Sequence, residues 1–436
     1  MSAVQPSSEL AAQTVWPIDR IKDHVWKIGS GVTPSGGAAS YLDAGIPLLR
    51  SQNVHFDGLR LDDVAYIAEE THEDMSGTKL RVRDVLLNIT GASIGRCAFV
   101  PDGFGEGNVN QHVCIIRPAA KLNYKFLTYC LSAPWGQDQV FSSFTGASRQ
   151  GLGQRDLGEI QVPLPPLPEQ ERIAAYLDAS CAAIDAAVSA KRRQLETLDA
   201  LRRTVIQESV TKGLDPNVEM MDAGIDWLPE IPKHWTKAKL KRHVRMIRGQ
   251  FTHRPRNDPA FYDGPYPFIQ TGSISAADKF ITEFTQTLNE DGLRISKLFP
   301  ADTVVMTITG AKIADVAVTT FEACFPDSIV GFVPDHRLNR DYLFYLLVAM
   351  KPALLRAAIV TTQPNINYVQ IGGNIVPLPP VEEQESIVNN IEQRIQGIRE
   401  IQKPLNQQIA TLTAYRKSLI HECVTGQRRV TDEDLL

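Results

Sequence analysis

The chain is 436 residues long, 43% apolar, and carries a net charge of −5 from 45 Lys and Arg against 50 Asp and Glu. Those values fit a soluble protein of two or more domains and neither propose nor exclude nucleic acid, since a local basic patch can act on an acidic chain. The longest clean apolar run, Tyr342 to Met350, is too short for a bilayer, no signal peptide is read, and six scattered cysteines lack metal-ligand spacing. The expectation is a cytoplasmic chain with reduced thiols, no metal and no membrane partner.

Residues 1–160 read as a mixed α/β domain with short strands at Ile46–Leu49, Val85–Ile89 and His112–Ile116, and a helix from Asn123 to Leu131. Gly91-Ala92-Ser93-Ile94-Gly95 fits the G-x-S-x-G pattern of a nucleophile elbow. An elbow needs a helix next, however, and Arg96 to Val100 reads as a strand, so a tight turn joining two strands is predicted. Gly103 to Gly107 is predicted to be a hairpin loop, because the polar Asn108 to His112 that follows does not open a cofactor-binding helix.

The next stretch is the centre of the sequence. VPLPPLPEQERI, Val162 to Ile173, returns as VPLPPVEEQESI, Val376 to Ile387, with nine of twelve positions identical at an offset of 376 − 162 = 214. LRRTVIQESVT (201–211) and YRKSLIHECVT (415–425) keep the same offset, so about fifty residues repeat. Each copy opens on prolines that form an extended lead-in, then runs about forty residues, roughly 60 Å of helix. Leu177, Cys181, Ile184, Val188, Lys191, Leu195, Leu198, Arg202 and Val205 alternate spacings of four and three. Ile391, Ile395, Ile398, Gln402, Leu405, Ile409, Leu412, Arg416 and Leu419 repeat that spacing in the second copy. The mean of 3.5 is the coiled-coil signature, and the two copies are expected to pack on each other. Pro404 stands where the first copy has Ala190, so a kink or short break near Lys403 is predicted. The organisation is thus 1–160 first globular domain, 161–214 central scaffold helix, 215–375 linker and second globular domain, and 376–436 distal scaffold helix. The second domain echoes the first weakly: Ile89-Thr90-Gly91-Ala92-Ser93-Ile94 faces Ile308-Thr309-Gly310-Ala311-Lys312-Ile313.

Polar loops in both domains suit the reading of base edges, because Arg pairs with guanine and Asn or Gln with adenine. The candidates in the first domain are Arg50, Ser51, Asn53, Thr90, Ser93, Gln111, Arg149 and Gln150. Those in the second are Gln270, Thr271, Ser273, Thr309, Lys312, Ser328 and Gln363. Lys237 to Arg256 carries eight Lys or Arg and no acid, which fits either a solvated face or a phosphate-contacting stripe.

The doubled PLPP-x-x-EQ-x-x-I opening, Ile231-Pro232-Lys233-His234-Trp235, the T-G-A-S-I-G turn and the tandem plan resemble the specificity subunit of Type I restriction-modification enzymes. The first domain departs at its opening, where Val15-Trp16-Pro17 replaces I-P-x-x-W. The resemblance implies an α+β fold of two α/β target-recognition domains separated by two long helices packed as an antiparallel coiled coil, with a pseudo-twofold internal repeat. It implies a non-catalytic subunit that reads a bipartite site on double-stranded DNA and docks two methyltransferase subunits and restriction subunits. S-adenosylmethionine, ATP and Mg would then belong to those partners, with no cofactor in this chain. The rival readings are a stand-alone DNA methyltransferase or hydrolase and a protein-only coiled-coil adaptor.

Overall fold

The computed structural model describes residues 14–144, 151–225, 227–253, 257–310, 312–358 and 365–435. The chain forms two compact units, Met1–Arg192 with Asn406–Leu436, and Arg193–Leu405. Each unit therefore owns one globular head and half of each long helix. The helices span Leu167–Lys212 and Val381–Thr425.

In the first unit an antiparallel sheet takes the order Val25–Ser30, Val113–Pro118, Val85–Asn88, Cys97–Phe99. A second sheet sets Ile46–Leu49 between Ala65–Ile67 and Asn108–Val109. In the second unit the sheet order is Val244–Arg248, Ile329–Pro334, Val304–Thr307, Val316–Thr319, with the short Phe280–Ile281 pairing parallel at the edge. The 91–93 segment is the tight turn that joins Val85–Asn88 to Cys97–Phe99. The 103–107 loop is not a hairpin: it links Cys97–Phe99 to Asn108–Val109, which lie in different sheets. The linker after the first helix is folded too, as an antiparallel pair of Met220–Ile225 and Leu228–Pro232 whose Ile225, Leu228 and Ile231 enter the core. Alternation of apolar with polar residues there outweighs the proline punctuation.

Each head is closed by its own ends. Ile18–Arg20 pairs with Gln161–Pro163, and Thr236–Lys239 with Ile375–Leu378, both antiparallel. Trp16 lies against Gly426 and Trp235 against Gly213, the left-handed glycines that follow the two long helices. The divergent 15–17 opening thus does the same packing task as Ile231–Trp235.

All eighteen seam positions of the two helices are buried or half-buried, whereas exposed residues occupy the opposite face. Within the first unit Asp185 pairs with Arg416 at 3.1 Å and Lys191 donates to Gln408 at 2.6 Å. Numbering rises on one helix as it falls on the other, so the pairing is antiparallel. Within the second unit Gln402 donates to Asp199 at 2.8 Å in the same sense. Leu177, Ile184 and Val188 join Leu419, Ile420 and Val424 in the first core; Ile391 and Ile395 join Val205's neighbour Ile206 in the second. By length and composition alone the first helix could cross a bilayer; its apolar stripe is instead spent on these cores.

Pro404 does not break the second helix, which is continuous from Val381 to Thr425. The proline faces solvent, as does Glu400, whose carbonyl loses its helical donor, so water can satisfy that group while Gln402 and Leu405 stay on the seam. Pro168, expected in the extended lead-in, instead lies in the first turn of its helix, where the missing N–H costs nothing.

Candidate nucleic-acid interface

Strand register sends the polar loops of each head to one end of its sheet. Ser30 pairs with Cys114, Val113 with Asn88, and Leu87 with Cys97. The segments 31–45, 89–96 and 110–112 therefore emerge side by side. In the second head Arg248 pairs with Val330, Thr307 with Ile329, and Met306 with Val316, which brings 249–252, 308–310, 312–315 and 326–328 together. Gly31 and Gly249 allow this crowding. A Cβ on Gly31 would sit 1.9 Å from the Val109 carbonyl oxygen, and one on Gly249 2.2 Å from that of Pro326.

A backbone weave ties each cluster. Ile89 N–H donates to His112 O at 3.0 Å and Leu152 N–H to Ile89 O at 2.9 Å. In the second head Ile308 N–H donates to Ser328 O and Ile366 N–H to Ile308 O, each at 2.9 Å. Leu152 and Ile366 are thus stitched beside the Thr90 and Thr309 turns.

The first head carries a polar chain along this end. His112 Nδ1 hydrogen-bonds Thr90 Oγ1 at 2.6 Å, His112 Nε2 meets Gln111 Nε2 at 3.1 Å, and Thr33 Oγ1 donates to Gln111 Oε1. Asn88, fully buried, donates to Ser51 O at 2.7 Å and Ser93 Oγ at 3.2 Å, so Ser51 and Ser93 share one support. Sequence reasoning missed Asn88 and Thr33, and reached His112 only as part of the polar 110–112 loop. A lone Asn inside the apolar run Val85–Ile89 was the available signal. Arg50 is held in place: its guanidinium donates to Asp63 O at 3.1 Å and lies 5.7 Å from the Tyr41 ring centre.

Asn53 is a correction to the sequence reading. It is 1% exposed, accepts from Arg50 N–H at 2.9 Å, and donates to Arg60 O at 2.9 Å and Asp63 O at 3.1 Å. Its amide closes a loop and has no edge left for a base. Arg149, Gln150 and Gln363 fall outside the described residues.

In the second head Gln270 donates to Gln286 Oε1 at 3.1 Å and precedes a short helix, Thr271–Ala276, which carries Thr271 and Ser273 half-exposed. Thr309 bridges to Asn365, and Lys312 is exposed on the same turn. Ser328 lies beside an open cleft of about 460 Å³ lined by Arg248, Gln250, Lys297, Asp327 and Tyr368 among others. The basic stripe is divided. Lys241 and Arg242 are exposed at the sheet end away from these loops, Arg248 reaches the loop end and donates to Asp327 O at 2.7 Å, and Arg254 and Arg256 are not described.

Chemically, both ends offer hydroxyls, amides and cations on fixed backbone. Burial pushes the Cys97 and Cys114 thiols up to about 12, which leaves them unfit as thiolate nucleophiles. Glu69, His72 and Glu73 lie close enough to share a metal ion, but Glu73 is paired with Lys79 and buried His72 hydrogen-bonds Asn108, which are structural commitments.

A family model described as the Type I restriction modification DNA specificity domain matches residues 64–197 and 252–411. The chain is 22% identical over 427 residues to the putative type I restriction enzyme MjaX specificity subunit of Methanocaldococcus jannaschii, covering 95% of this chain and 94% of that protein. It is 22% identical over 425 residues to the type I restriction enzyme EcoKI specificity subunit of Escherichia coli, covering 92% and 87%. Among solved structures, a chain from one on complex assembly and conformational transition of the type I R-M system aligns with TM-score 0.70 and 18% identity over 95% of this chain and 98% of that one. The HsdS subunit from Thermoanaerobacter tengcongensis aligns with TM-score 0.50 and 18% identity, covering 95% and 97%.

Proposed function

Because this chain belongs to the family of the Type I restriction modification DNA specificity domain, we propose that it is the address-reading subunit of such an enzyme, with each head reading one half of a split duplex target. The observation that carries this reading is the repeated geometry: the same set of polar loops is gathered at the same sheet end in both heads, on side chains that differ. Scaffold residues repeat strongly while Ser93 gives way to Lys312 and His112 to Ser328. Two differently specific readers on one scaffold require that pattern.

The loop residues Arg50, Ser51, Thr90, Ser93 and Gln111, with Arg149 and Gln150, face one half-site in this reading. Gln270, Thr271, Ser273, Thr309, Lys312, Ser328 and Gln363 face the other. A wrong base pair typically costs about 1–3 kcal/mol, so two heads multiply discrimination. The long helices set the gap between half-sites and dock two methyltransferase subunits, and restriction subunits join that assembly. Adenine methylation, S-adenosylmethionine, ATP and Mg belong to the partners, and the chain works in the cytoplasm.

The test is methylation mapped across a genome in cells that carry this chain with its cognate methyltransferase. The expected result is a split motif, two short defined halves around a fixed run of unspecified bases. Methylation at a short continuous site, or by this chain alone, would transfer the reading to an enzyme.

A further inference from the structure

One buried side chain occurs twice in the same setting. Gln170 is 1% exposed and Gln384 is 0% exposed, both in the first turn of a long helix. Gln170 Oε1 accepts from Asn123 N–H at 2.8 Å, and its Nε2 donates to Lys121 O at 3.1 Å and Pro165 O at 2.9 Å. Gln384 Oε1 accepts from Asn339 N–H at 2.8 Å, and its Nε2 donates to Arg337 O at 2.9 Å and Pro379 O at 2.8 Å. Asn123 and Asn339 are themselves N-caps: their side chains accept from the N–H groups of Lys125 and Phe126, and of Asp341 and Tyr342. Each glutamine thus joins three chain segments: the head's loop before the cap, the cap that starts a helix of the head, and the proline lead-in to the scaffold helix.

Only glutamine meets all three demands. The three partners are backbone groups in a buried place, two acceptors and one donor, so the amide has one orientation. Glutamate would bring no donor to two carbonyl oxygens, and asparagine is one methylene too short. We propose that Gln170 and Gln384 are positioning residues which fix the angle of each reading head on its scaffold helix, and so make the chain accept a single gap between half-sites. They touch no DNA and act through the heads they hold.

This inference rests on the split-site reading above, and the experiment separates the two. The full chain is assembled with its cognate methyltransferase and assayed on duplexes carrying the mapped target, with the gap unchanged or altered by one base pair. Wild type without a split target would defeat the functional reading itself. Given a split target, Gln170→Met, which keeps length but has neither donor nor strong acceptor, is expected to lower the rate ratio of correct to altered gap about tenfold or more, with the bases preferred in each half unchanged. Gln170→Asn, milder and still polar, is expected to lower the ratio less, so the test does not depend on one variant folding; Gln384→Met and Gln384→Asn should act likewise. Folded variants that keep the wild-type ratio, whether at full or uniformly reduced rate, would overturn the proposal, since a merely structural residue changes every substrate alike.

Discussion

The two units solve the same charge problems differently. In the first unit the helix pair balances one such position by itself, with Asp185 against Arg416. The repeat offset carries 185 to 185 + 214 = 399 and 416 to 416 − 214 = 202, and both positions hold arginine. Two like charges then face each other in the second unit, and both reach Asp278 of the globular head. The adjacent Lys279, 8% exposed, pairs with Asp341 at 2.9 Å and with Glu392 of the scaffold helix. The second head thus supplies a counter-charge that the first scaffold carries itself. Both heads reach their scaffold helix at the matched position 178 + 214 = 392, Lys125 on Asp178 and Lys279 on Glu392, so the difference between the units is confined to the arginine pair.

The sheets show the reverse. Asp84, 1% exposed, makes a two-pronged ion pair with Arg117, Nε to Oδ1 at 2.6 Å and a terminal nitrogen to Oδ2 at 2.7 Å. Thr303 and Val333 hold the matching places in the second unit, just before Val304–Thr307 and fifth in Ile329–Pro334. Thr303 is satisfied by donating to Pro300 O at 2.7 Å. Asp84→Ala should destabilise the first unit by about 3–5 kcal/mol, because it strands a half-desolvated guanidinium. Asp84→Thr with Arg117→Val, the second unit's solution, should recover most of that loss. Urea unfolding of single and double variants checks it; equal damage in both would mean that the two sheets are not interchangeable designs.

Much of this was legible in the chain and some was not. The repeat offset and the 3.5-residue spacing located both helices and every seam residue, because those signals are local and periodic. Turn residues located the loops, since Gly91 and Gly95 must adopt positive φ. What failed were pairings across the sequence. The strand partner of Ile18–Arg20 lies more than a hundred residues away, and nothing near Asp278 announces two arginines on distant helices. Gln170 was visible as a repeated letter, but its role needs the three backbone groups around it. Asn53 failed for a related reason: a polar loop residue looks the same whether it faces solvent or closes the loop.

The two scaffold helices also differ at one matched position, Ala190 in the first and Pro404 in the second. A proline inside a helix costs about 3 kcal/mol relative to alanine, less where the freed carbonyl is solvated. Pro404 is exposed in an unbroken helix, so Pro404→Ala should raise the stability of the second helix by about 1–2 kcal/mol. Thermal unfolding followed by circular dichroism reads this directly. A fall in melting temperature would show that the proline relieves a bend the seam requires.

The smallest effect tests the opening comparison most directly. Asp278, Arg202 and Arg399 are each about a third to a half exposed, so solvent screens them. Asp278→Ala should cost at most about 1 kcal/mol, more at low salt, since it leaves the arginines facing each other without an anion. Arg399→Asp restores the first unit's arrangement, an acid opposite Arg202, and removes the need for the head's carboxylate. The double variant Asp278→Ala with Arg399→Asp should therefore be more stable than Asp278→Ala alone, and the benefit should shrink as salt rises. Simple additivity of the two changes in a double-mutant cycle would mean that the second head's tether is Lys279 and its aromatic neighbours, Phe344 and Tyr345 at 5.8 and 5.2 Å, with Asp278 a bystander.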